Sequence, residues 1–227
     1  NLGQLKGDAV GIFAGTLKHS GLVNATAVSV EGGKVLLKGR ESADIGGTIT
    51  AQKGSLGGQV HATAAKVMLK SGAIIDASGA AGGGEVLLGG GWQGQDARLA
   101  NAQQTTAEPG STIRADATDN GNGGTVVLWS DGDTRSAAHL SARGGAQGGN
   151  GGRIETSGKV NLWSQGTRVD ALAPHGSPGV WLLDPTSVTI TGGGGAAAPN
   201  VVYENDIEAA GANVDVVADY DITTSGT

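Results

Sequence analysis

Gly82-Gly83-Gly84-Glu85-Val86-Leu87-Leu88 is the stretch that decides the fold, because the chain keeps rewriting it. Gly32-Gly33 stands before Val35-Leu36-Leu37, Gly46-Gly47 before Ile49, and Gly57-Gly58 before Val60. Gly123-Gly124 stands before Val126-Val127-Leu128, and Gly151-Gly152 before Ile154. A recurring glycine-plus-strand unit is the mark of a solenoid. One unit is too short to bury its own apolar face, so it must stack on copies of itself. The expectation is an all-β chain wound as a parallel β-helix. Its corner glycines would supply positive φ and let coils approach closely.

Composition agrees. Of 227 residues, 43 are Gly and only 5 are Pro, and the glycines do not fall every third residue, which excludes collagen. Aromatic residues make up 3%, too few for a compact globular core and suited to a thin one of Val, Ile, Leu and Ala. The net charge is −6 with 16% charged residues and no basic stripe, which argues against nucleic acid as a partner. No run approaches the length of a membrane-spanning helix, so no membrane insertion is expected. There is no cysteine, hence no disulfide or thiolate metal site.

Along the chain, short strands are expected at Val10–Ala14, Val28–Val30, Val35–Lys38, Ile49–Ala51 and Val67–Lys70. Internal similarity is strongest over 71–166, where Gly72–Gly79, Gly110–Ala117 and His139–Gly144 align and Val126–Gly132 matches Val160–Gly166. The polar stretch 92–109 interrupts the repeat and reads as a loop lying on the solenoid surface. The organisation expected is a β-helix over 1–191, a Gly/Ala-rich linker over 192–200, and resumed strands with a short helix over 201–227. Tyr203–Ala210 is that helix, with acidic residues early and Gly211 to stop it.

From about Gly72 to Ile190 the chain resembles the filamentous-haemagglutinin-type exoproteins of two-partner secretion. The resemblance rests on Gly89-Gly-Gly-Trp-Gln-Gly94, Gly121-Asn-Gly-Gly-Thr-Val-Val-Leu-Trp129, Leu140-Ser-Ala-Arg-Gly-Gly-Ala146, Gly148-Gly-Asn-Gly-Gly-Arg-Ile-Glu-Thr-Ser-Gly158 and Trp181-Leu-Leu-Asp-Pro185. It implies a right-handed parallel β-helix, export across a Gram-negative outer membrane through a partner transporter, and service in a large surface adhesin. The amino-terminal secretion domain of that family carries Asn-Pro-Asn motifs. None occurs here, and Pro199-Asn200 is the nearest approach. The expectation is therefore an internal stalk segment of a secreted exoprotein, active in attachment or biofilm, with transporter recognition lying elsewhere in the parent.

No catalytic residue, metal site or cofactor is expected. Asp116, Asp119, Asp131 and Asp133 form the best acidic neighbourhood, and Asp and Gly at such positions read as turns. Neither an Asp-Asp pair nor an Arg-x-Lys motif of β-helical pectin-degrading enzymes is present. His19, His61, His139 and His175 lack ligand spacing. The binding candidates are Trp92, Trp129 and Trp163. With Val and Leu of Val126–Trp129 and Val160–Trp163 pointing inward, Trp129 and Trp163 point outward. There they either stack on sugars, making the chain a module for host glycans or exopolysaccharide, or lie covered by the 92–109 insertion. An enzyme acting on polysaccharide is the third reading.

Overall fold

The computed structural model describes residues 3–27 and 33–226, so the strand expected at Val28–Val30 lies outside the described residues. The chain winds as a parallel β-helix whose coils place one strand on each of three faces. The first face stacks Gln4–Gly7, Leu22–Ala27, Thr48–Lys53, Ile74–Asp76, Thr112–Arg114, His139–Ser141 and Arg168–Asp170 in that order. The second stacks Gln59–Thr63, Glu85–Leu88, Thr125–Ser130, Arg153–Gly158, Val180–Leu183 and Asn213–Val216. The third stacks Lys66–Leu69, Gln104–Ala107, Asp133–Ser136 and Asn161–Trp163. Ala9–His19 and Lys34–Ile45 run across the corner between the second and third faces, so these two faces form one continuous sheet.

Register puts like on like. Val23, Ile49, Ile75, Ile113, Leu140 and Val169 form one inward column on the first face. Val35, Val60, Val86, Val126 and Ile154 form another on the second, beside Leu37, Ala62, Leu88 and Leu128. All are buried. Each Val, Ile or Leu so buried contributes about 1.5–3 kcal/mol of transfer free energy. No strand could gather this alone, which is why the fold needs its repeats.

Four of the glycine pairs, 57–58, 83–84, 123–124 and 151–152, mark one structural position, the corner between the first and second faces, whereas Gly46-Gly47 stands at the turn into the first face. Gly58, Gly84, Gly124, Gly152 and Gly179 each donate their N–H to an alanine of one first-face column, inside the strand at Ala51 and just past its end at Ala77, Ala115, Ala142 and Ala171, at 2.7–2.9 Å. These alanines are fully buried. A Cβ on Gly84 would overlap the Gly58 carbonyl oxygen. One on Gly124 would overlap Gly84, one on Gly152 would overlap Gly124, and one on Gly179 would overlap Gly152. The glycines thus form a ladder in which each excludes a side chain from the next. Positive φ is not the reason at these positions. It is needed instead where coils turn toward the first face, at Gly47, Gly72, Gly110 and Gly166.

Three features depart from the repeat. Trp181 takes the column position of Ile154, fully buried, and Thr156 in the neighbouring column leaves it room and accepts its indole N–H at 2.9 Å. Near the C-terminus the third face is threaded out of order, because Val201–Tyr203 slots between Asn161–Trp163 and Ser187–Thr191. Asn200, at φ +57°, holds this return by accepting the Leu162 N–H at 2.7 Å and donating to the Val160 carbonyl at 3.0 Å. A short helix follows at Glu204–Glu208.

Candidate functional site

The surface insertion leaves the β-helix after Glu85–Leu88 and re-enters at Gln104–Ala107. It is shorter than the 92–109 expected from sequence. Gln104–Ala107 is a third-face strand, with Thr105 and Ala107 buried inward. Its inward residues are a threonine and an alanine, so it carries no aliphatic signal, and polar composition hid it.

The insertion folds back over the outer side of the second face. Leu87 and Val127 point outward there, yet both are buried, and with Trp129 they form a separate apolar cluster capped by Trp92 and Leu99. Trp129 therefore does point out of the β-helix, and the insertion covers it to 6% exposure. Gly90 and Gly94 lie so close to its ring that neither could carry a Cβ without displacement. The Trp129 indole donates to Asp131 at 3.2 Å, and Asn101 of the insertion donates to the same carboxylate at 3.0 Å. Trp92 is half-buried, with the Arg153 guanidinium 4.7 Å from its ring centre.

Trp163 is elsewhere. It sits on the third face with the central carbon of the Arg135 guanidinium over its ring, 3.3 Å from the ring centre. The expected binding trio is therefore two sites: Trp92 and Trp129 under the insertion, and Trp163 under an arginine. The acidic neighbourhood divides likewise. Asp116, at the corner between first and second faces, accepts from Ser141 Oγ and the Arg143 N–H at 2.6 and 2.7 Å. Asp131 and Asp133 lie at the opposite corner, between the second and third faces, and Asp133 accepts from Asn161 at 2.8 Å.

Sequence reasoning missed Glu155. It stands in the outward column between Val127 and Leu182, fully buried. Its Oε2 accepts the backbone N–H of Gln93 at 2.8 Å, and its Oε1 has no hydrogen-bond partner. Burial pushes the carboxyl up to about 7, against the opposing Gln93 N–H and Ser157 hydroxyl. The only signal was a lone acid at a column position held by Leu87 and Val127 in earlier coils. Gln93 itself has φ +52° and donates through its side chain to Asp184 at 3.0 Å. Between the insertion and the later coils lies a polar cleft of about 560 Å³, with Gln93, Gln95, Asn101, Asp131, Asp184 and Asp219 among its walls.

The chain is similar to a solved structure, the HMW1 secretion domain from Haemophilus influenzae, at 31% identity and a TM-score of 0.64. The match covers 81% of this chain and 48% of that one, so this chain spans about half the length of its structural relative. No family model and no curated protein matches the chain. The likeness supports a segment of a secreted exoprotein and does not single out filamentous haemagglutinin.

Proposed function

We propose that this chain is a rigid β-helical segment of an exoprotein exported by two-partner secretion, and that its parent reaches the cell surface through an outer-membrane transporter. The observation that carries this reading is the likeness to the HMW1 secretion domain along 81% of the chain. The unbroken register of the inward columns supports a mechanical role. On the first and second faces each coil from Leu22 to Val216 pairs in parallel with the next, which suits a stiff rod holding more distal surfaces away from the cell. Its part in export would be to fold coil upon coil as it emerges. Its part in attachment or biofilm would be display, with no catalytic residues.

Deleting the coils from Glu85 to Ser141 in the parent protein, in frame and in its own host, tests this. Loss of the exported protein from the surface, with the precursor retained inside, is the expected result. Normal export and normal attachment would overturn it. A second reading, direct contact with saccharide, is favoured by the polar cleft beside the insertion, whose amides and carboxylates suit hydroxyl groups. A glycan array on the purified chain and on Asp131→Ala separates the two. Binding that the variant loses while still folded would make the segment a recognition module.

A further inference from the structure

We propose that the insertion over the second face is a proton-controlled cover, latched while Glu155 is protonated and released when Glu155 ionises in place. The geometry carries the argument. Glu155 is a carboxyl set into an apolar stripe, flanked along the column by Val127 and Leu182, with no water-exposed surface. Its one hydrogen-bond partner in the insertion is the Gln93 N–H, at the left-handed residue that turns the cover back on itself. Its second oxygen has no hydrogen-bond partner, and the neighbouring Ser157 hydroxyl, which favours the carboxylate, does not cancel the effect of burial. A neutral carboxyl tolerates that environment, whereas a carboxylate is left buried with an unsatisfied oxygen.

The charged groups around it do not rescue the ionised form. Asp184, in the next coil, opposes it, and Arg153, on the same strand, favours it. Arg153 is drawn outward over Trp92. In the insertion, Asp96 and Arg98 neutralise each other at 2.7 Å. In the preceding coil, Asp131 is occupied by Asn101 and Trp129. Further along, Asp215 extends the column with a second acid.

The sign follows from the upward displacement of the carboxyl, whose ordinary value is 4.5. Closure is favoured fully below about 4.5 and loses that contribution as pH rises through about 7. Release would free the Gln93 contact, admit water to Glu155, and uncover Leu87, Val127 and Trp129.

The test is acrylamide quenching of tryptophan fluorescence between pH 5 and pH 9, because the quencher is neutral at every pH. In the unaltered chain the accessible fraction should rise with a midpoint near 7 while far-ultraviolet circular dichroism stays constant. Glu155→Gln should abolish the midpoint. Asp184→Asn, which removes an opposing charge yet keeps an acceptor for Gln93, should move it to lower pH. It serves as the second variant if Glu155→Gln does not fold. A flat profile in the unaltered chain, or a midpoint that neither variant changes, would overturn the proposal.

Discussion

Replacing Gly84 by alanine tests the central structural claim, that the glycine pairs exist to let coils touch. The new Cβ would overlap the Gly58 carbonyl oxygen and stand 2.7 Å from both the Ala77 oxygen and the Gly57 carbonyl carbon. None of these is a flexible side-chain end, so the corner must open. Opening it strains packing by about 1–3 kcal/mol. It also endangers the 2.8 Å hydrogen bond from Gly84 to Ala77, which is worth about 1 kcal/mol. Stiffening the unfolded chain returns roughly 0.4–1 kcal/mol. The net loss is about 1–3.6 kcal/mol, which at this chain length lowers Tm by about 2–14 °C. Gly72→Ala is the matched control. Its φ is +73° but nothing lies within 4 Å of the added atom. It should lose about 1 kcal/mol, the left-handed penalty less the unfolded-state gain. Thermal unfolding of both variants by circular dichroism decides the matter. If Gly84→Ala melts at or above Gly72→Ala, close approach is not what the ladder of glycines is for.

Leu128→Asp puts an unpaired carboxylate in the fully buried inward column and should abolish the cooperative melt, read by circular dichroism. Trp181→Ala should cost about 3–5 kcal/mol in chemical denaturation, because it empties the largest fully buried side-chain site and orphans Thr156. His61 lies 2.7 Å from Glu85 and holds that carboxyl below its ordinary value of 4.5. The pair's stabilisation is therefore present above 4.5 and lost as pH falls through the lowered value. His61→Gln should flatten this part of the acid limb of Tm against pH.

The repeat was legible because its parts are chemically extreme. A glycine that touches the backbone of the next coil has no substitute, and an inward column accepts little but Val, Ile, Leu and Ala, so Gly84 and Val86 announce themselves. Gln104–Ala107 did not, since its inward residues are Thr105 and Ala107. Nor could periodicity reveal that Val201–Tyr203 is inserted ahead of Ser187–Thr191, because strand order on a face depends on pairing across the return and not on pattern. Trp181 read as part of a motif, and its inward position is set by the small Thr156 one coil before.

The insertion shows most clearly how far pattern reaches. Alternation along Val126–Ser130 correctly sends Val126 and Leu128 in and Val127 and Trp129 out, yet all of them are buried. Outward therefore does not mean exposed where a loop from another coil lies on the surface, and a ring that looks ready for a sugar becomes the floor under that loop. The same covering gives Glu155 its character. On an open face it would be an ordinary carboxylate, and the cover over Leu87, Val127 and Trp129 turns it into a buried acid with one oxygen unpaired. The residues that respond to protons and the residues that would contact a ligand thus lie under or beside one segment, so whatever moves that segment changes both. Measurements of saccharide binding on this chain should accordingly be made on both sides of pH 7. A response confined to the alkaline side would mean that the cover, and not the rod beneath it, governs access.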